Sequence, residues 1–167
     1  MLRRRQAQWR RLAAFSAGGA AFAYNRLRGV VKSRESGRVS MERSGTGSGR
    51  RVLVIEDSGD HAFTLKLLLE HYGFDVAVAG DGELGLRVAR RWSPDFVLLD
   101  IGLPGIDGYA VARALRADPQ TANIVIIAMS AFDPGTHLER EKTAGFSARF
   151  VKPVPTERLL GLLTAIG

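Results

Sequence analysis

From residue 51 onward, short apolar runs alternate with longer amphipathic stretches. Residues 52–55, 76–78, 96–99, 124–129 and 149–151 are short, rich in branched side chains and nearly all apolar, the pattern of strands buried on both faces. Between and after them, residues 62–71, 83–91, 109–117, 135–144 and 156–165 have helical spacing. In the first of these, Phe63, Leu65, Leu67, Leu68 and Leu69 are dense enough to predict one wide buried face. Gly73, Gly82, Gly105, Gly108 and Gly145 fall at the joints, where a turn or a positive φ is least costly. The alternation predicts five βα units around a parallel sheet, forming one domain over residues 50–167 with no second domain after its fifth helix.

Composition changes the picture at the N-terminus. The chain carries a formal +7, which by itself points to nucleic acid or an anionic membrane. Residues 1–49, however, hold 11 of the 24 Lys and Arg against 2 of the 17 acids, a net +9, and the remaining 13 bases and 15 acids give −2. A basic leader thus precedes a slightly acidic domain. Within it, Arg3, Arg4, Arg5, Arg10 and Arg11 precede the apolar run of residues 12–24, which Ser16, Gly18 and Gly19 dilute and which is too short to span a bilayer. The run imitates a secretory signal, but export conflicts with the chemistry below. Residues 1–40 read as a disordered basic arm or as sequence ahead of a true start at Met41, the alternative being a tether to membrane or nucleic acid. Residues 44–49 form a Ser/Gly linker. The absence of cysteine excludes disulfides, thiolate metal sites and cysteine nucleophiles, and leaves a cytoplasmic location as the expectation.

In a sheet of this kind the ligand site lies beyond the carboxyl ends of the strands. Glu56 and Asp57 follow the first strand, Asp100 the third, Ser130 the fourth, and Lys152 with Pro153 the fifth. Three acids, a hydroxyl and a lysine converge on one rim. Clustered carboxylates repel unless a cation sits among them, and a hard divalent ion, Mg2+, suits Asp57 and Asp100 as ligands with Glu56 reaching it through water. The Asp100 carboxylate can then attack phosphorus to give an acyl phosphate, with Lys152 and Ser130 holding the phosphoryl oxygens. Asp107, before Gly108, reads as a helix cap. His61, His71 and His137 read as surface or capping residues, and Trp92 and Tyr109 as helix packing.

The segments Val52-Leu53-Val54-Ile55-Glu56-Asp57, Phe96-Val97-Leu98-Leu99-Asp100, Leu103-Pro104-Gly105-Ile106-Asp107-Gly108, Ala128-Met129-Ser130-Ala131 and Val151-Lys152-Pro153 resemble the motifs of the response-regulator receiver family, over residues 50–167 and none of the leader. The resemblance implies a flavodoxin-like doubly wound sheet of order 2-1-3-4-5. It implies a non-enzymatic signalling domain that takes a phosphoryl group from a histidine kinase or histidine phosphotransfer protein. Asp100 would become 4-aspartylphosphate, Glu56 and Asp57 would be the acidic pair, the Gly102 carbonyl would complete the Mg2+ site, Ser130 would be the switch hydroxyl and Lys152 the phosphate-contacting lysine. A homodimer through the fourth helix, fifth strand and fifth helix is a further possibility the family brings. Two positions depart from the usual pattern: Arg149 stands where an aromatic residue or histidine is common, and Gly102 and Phe132 flank the phosphoryl site without polar side chains. The reading is a stand-alone switch in which Arg149 stays at the surface; its rival is a Mg2+-dependent phosphohydrolase with Asp100 as nucleophile.

Overall fold

The computed structural model describes residues 49–131 and 143–166. The elements are β1 (Arg51–Ile55), α1 (Gly59–His71), β2 (Asp75–Ala79), α2 (Gly82–Trp92), β3 (Phe96–Asp100), α3 (Gly108–Ala117), β4 (Val125–Ser130), β5 (Ala148–Val151) and α4 (Thr156–Ala165). Residues 143 and 144 are helical, at the end of the segment predicted as a helix over 135–144. The rest of that segment, Phe132, His137 and the leader lie outside the described residues, and with them part of the face considered for a homodimer.

The five strands pair in parallel in the order β2-β1-β3-β4-β5. β3 lies at the centre and is buried along its whole length, so each of its four apolar side chains joins one of two cores. Leu53, Ile55, Val97, Leu99 and Ile126 pack on the α2 and α3 side, where Val111, Ala112 and Leu115 meet them. Val52, Val54, Leu98, Ile127 and Met129 pack with Leu69 of α1 and Leu159 and Leu163 of α4. Period-two alternation over continuous apolar runs therefore makes a sheet with helices on both faces.

Two expectations need correction. β2 is not buried on both faces: it is an edge strand with one neighbour, and Asp75 and Val78 are exposed. Nor does α1 bury one wide face, because only Ala62 and Leu69 are buried, whereas Phe63 and Leu67 are 61% and 49% exposed. Leu67, Leu68 and Leu69 are consecutive, and a helix turns about 100° per residue, so they cannot all face the sheet.

The joint glycines divide by cause. Gly73, Gly105 and Gly145 have positive φ, the conformation that favours glycine. Gly82 and Gly108 do not, and are required for space instead. A Cβ on Gly82 would sit 2.6 Å from Val111 Cγ2, and one on Gly108 would overlap the carbonyl oxygen of Asp100 and lie 2.7 Å from Ile101 Cα. Gly85 in α2 is equally tight against Ile55 of β1. These close approaches bring α2 and α3 down onto the strand ends that carry the acids.

Candidate functional site

The connection from β1 runs to β2 on one side and the chain then returns to β3 on the other, so a crevice opens beyond the adjoining ends of β1 and β3. Glu56, the residue after β1, is 2% exposed, and its backbone N–H donates to the Ala79 carbonyl at 3.1 Å. Asp57 beside it is exposed. Asp100 ends β3 at 7% exposure, and the next residue is held to β4 by a hydrogen bond from Ile101 N to the Met129 carbonyl at 2.9 Å. Glu56, Asp57 and Asp100 each present a carboxylate oxygen within 4.8 Å of the others.

Lys152 reaches into this cluster from beyond β5. Its Nζ donates to Glu56 Oε2 and to Asp100 Oδ2, each at 2.6 Å. Its backbone N–H donates to the Ser130 carbonyl at 2.8 Å, which fixes the stem against the end of β4, and its bond to Pro153 is cis. Burial pulls the Lys152 pKa down, but the hydrogen bonds to Asp100 and Glu56 and the attraction of both charges outweigh it, leaving the pKa above the ordinary lysine value. One ammonium thus neutralises one of two buried carboxylates. Ser130 ends β4 at 5% exposure on the same rim.

Backbone donors complete the setting. Gly102 N donates to Asp100 Oδ1 at 2.8 Å, and Ser58 N to Glu56 Oε1 at 3.3 Å. Gly102 itself is exposed. The donor set is carboxylate oxygen throughout, with Asp57 open to solvent, and such a site fits a hard divalent cation that keeps several waters. Bound there, Mg2+ would supply positive charge to Glu56, Asp57 and Asp100.

The six residues singled out from the sequence therefore meet at one rim. Asp107 is a helix cap, its carboxylate accepting from Ala110 N at 2.7 Å, and Asp81 caps α2 in the same way through Leu84 N, also at 2.7 Å. Tyr109 is buried and Trp92 packs on the same core. His61 is exposed as expected, yet its Nδ1 lies 3.9 Å from Glu56 Oε1, a place at the rim that only its position in the first turn after the acidic pair could have signalled. Arg149 is half-buried and its Nε is shut off from solvent, so the guanidinium is not held wholly at the surface.

The family described as the response regulator receiver domain matches residues 52–164. Protein PilH of Pseudomonas aeruginosa is 34% identical over 116 residues, covering 70% of this chain and 96% of PilH. The DNA-binding response regulator MtrA of Mycobacterium tuberculosis is also 34% identical over 116 residues, and there the match spans only 50% of the relative. Chemotaxis protein CheY4 of Vibrio cholerae, at 24% identity and a TM-score of 0.67 over 71% of this chain and 99% of that one, shares the fold. The receiver domain of a Pseudomonas aeruginosa sensor histidine kinase, whose structure holds a magnesium ion in the active-site cleft, is 29% identical with a TM-score of 0.65, over 70% of this chain and 96% of that one. With a parallel sheet of order 2-1-3-4-5, an acidic cluster at its switch point and a family match across most of its length, this chain belongs to the response regulator receiver domain family.

Proposed function

We propose that Asp100 is the phosphoacceptor of this receiver domain, in a Mg2+-dependent reaction with a phosphohistidine on a histidine kinase or histidine phosphotransfer protein. The observation that carries the reading is the Lys152 ammonium at 2.6 Å from both Glu56 and Asp100, which sets a positive charge against the buried side chain that would attack. An Asp100 oxygen forms a bond to phosphorus as the phosphorus–nitrogen bond breaks, and the electron pair leaves with the donor imidazole. Lys152, already tied to Asp100, offsets the charge of the arriving phosphoryl group. Ser130 would offer a hydroxyl to a phosphoryl oxygen, the Gly102 carbonyl would complete the set of oxygens that hold Mg2+, and Gly102 N steadies Asp100. The magnesium ion in the related kinase receiver supports the choice of metal. The output is a protein contact or onward phosphotransfer, in the cytoplasm where histidine kinases present their phosphohistidine. Among the described residues no helix is long and apolar enough to cross a membrane.

The test is labelling by acetyl phosphate, read by intact mass. The parent takes up one phosphoryl group in Mg2+ and none in EDTA, and Asp100→Asn takes up none while keeping its fold. Label on Asp100→Asn would overturn the assignment. Continuous release of phosphate without a stoichiometric labelled form would indicate a phosphohydrolase.

A further inference from the structure

β2 forms one edge of the sheet, with β1 on one side and, among the described residues, no strand on the other. Alternate residues of β2 are bonded to β1: Asp75 N donates to the Arg50 carbonyl at 2.9 Å, and the Ala79 carbonyl accepts from Glu56 N at 3.1 Å. With Asp75, Ala77 and Ala79 turned to β1 in this parallel ladder, the N–H and C=O of Val76 and Val78 point out of the sheet. The usual blocks to a further strand are missing, for the register with β1 runs unbroken from Asp75 to Ala79 and β2 holds neither lysine nor proline.

Exposed apolar side chains lie on the same flank. Val76 packs in the core that holds Leu69 of α1, so Val78, two residues on, stands on the α1 face of the sheet, where it is 38% exposed. Phe63 and Leu67 follow the buried Ala62 by about 100° and about 140° around the helix. In a right-handed β1–α1–β2 crossover, that rotation turns from the sheet toward β2. Phe63, Leu67 and Val78 thus border the open edge.

We propose that the β2 edge is a self-pairing surface, through which two copies of this chain join antiparallel about a two-fold axis at Ala77 to make one continuous sheet. Ala77 is the middle residue of β2, and the two outward-facing residues stand symmetrically about it. Antiparallel pairing therefore sets Val76 opposite Val78 of the second copy, and Val78 opposite its Val76, each couple exchanging two hydrogen bonds. Asp75 falls opposite Ala79, so no like charges face each other. The same axis lays the two α1 helices on one face of the joined sheet, with Phe63 and Leu67 of each turned toward the other. A second copy thus answers both features at once, whereas a foreign strand would complete the ladder and leave the helix stripe uncovered. One short strand and two helix side chains from each copy bury less than the ~1,600 Å² of a standard interface, so the dimer is weak and concentration-dependent. Because the strands run in opposite directions, the two acidic rims point away from each other and stay open.

The chain has no cysteine, so Ala77→Cys in the full chain reports the axis. A directly opposed pair that exchanges no hydrogen bond has its Cα atoms about 4.5 Å apart, within reach of a disulfide. Asp75→Cys would stand about 13 Å from its own copy, too far for one. Sedimentation of the parent should show a reversible monomer–dimer equilibrium, and mild oxidation should link Ala77→Cys but not Asp75→Cys. Amide exchange at Val76 and Val78 should slow by about tenfold where nine-tenths of the chain is dimer, while Ala77 and Ala79, already bonded to β1, change little. Phe63→Asp with Leu67→Asp, at positions exposed in the single chain, should give a folded monomer by circular dichroism and sedimentation. The proposal is overturned by a parent that stays monomeric up to millimolar concentration, by a dimer that survives the double variant, or by Asp75→Cys linking as readily as Ala77→Cys. It is equally overturned if Val76 and Val78 are protected to the same degree at every concentration, which would mark a cover from within the chain.

Discussion

Replacing Lys152 with glutamine removes the one cation among the described residues that touches both Glu56 and Asp100 and leaves an uncharged amide in its place. The carboxylates are 1% and 9% exposed and the lysine side chain 20%, so little water is at hand to replace the ammonium. Breaking a buried ion pair by removing one partner costs about 3–5 kcal/mol. Here the lower end applies, because Asp100 keeps the Gly102 N–H at 2.8 Å and Glu56 the longer Ser58 N–H at 3.3 Å. In EDTA at neutral pH the variant should therefore lose about 3 kcal/mol, which for a domain of this size lowers the melting temperature by about 12 °C. Saturating Mg2+ supplies the missing charge, and because it no longer competes with an ammonium it binds the variant more tightly; a ligand at about 100 times its Kd returns about 2.7 kcal/mol. Urea titrations of the full chain with EDTA and with millimolar MgCl2 measure both numbers. A deficit equal in the two buffers, or none in EDTA, would refute the claim that Lys152 and the metal answer the same excess of negative charge.

Three further outcomes follow from the same geometry. Gly108→Ala should lose about 2–3 kcal/mol in urea unfolding, because the new methyl meets the backbone of Asp100 and Ile101, which cannot rotate away. Ser93, exposed at the end of α2 with φ 49°, should gain about 0.5 kcal/mol as glycine and lose about 1 kcal/mol as valine, since the left-handed region costs least without a Cβ and most with a branched one. The Lys152 pKa is raised on folding, so its contribution is complete below the ordinary lysine value of 10.5 and fades as pH rises through the higher folded value. The stability gap between the parent and Lys152→Gln in EDTA should accordingly be level in mildly alkaline solution and close above about pH 10.5.

The sheet was legible because strands buried on both faces must be apolar at every position: 96–99 was read as a strand, and β3 extends it only by Asp100. The site was legible because its residues directly follow such runs, where a polar side chain stands out. Strand order came from the family resemblance and not from hydropathy. What stayed hidden depends on neighbours distant in the chain. Nothing local distinguishes Leu67, exposed, from Leu69, buried, or tells an edge strand such as β2 from a central one. Arg116 is the clearest omission: its guanidinium donates to the carbonyls of Gly145, Ala122 and Ile124, tying the approaches to β4 and β5, and burial lowers its pKa. In sequence it is one more arginine on a helix. Gly82 and Gly108 were found, but for the wrong reason, since turn chemistry and lack of space leave the same letter.

Those tight glycines set limits on how the domain can respond. Gly85 clamps α2 to β1, Gly82 clamps α2 to α3, and Gly108 seats α3 on the end of β3, each at a spacing that leaves no slack for sliding. The Asp100 carboxylate therefore stands on a stiff chassis made of two strands and two helices. If Asp100 takes up the charge of a phosphoryl group, that half of the molecule has the least room to adjust to it. Three residues with no side chains thus fix where the domain is least able to give.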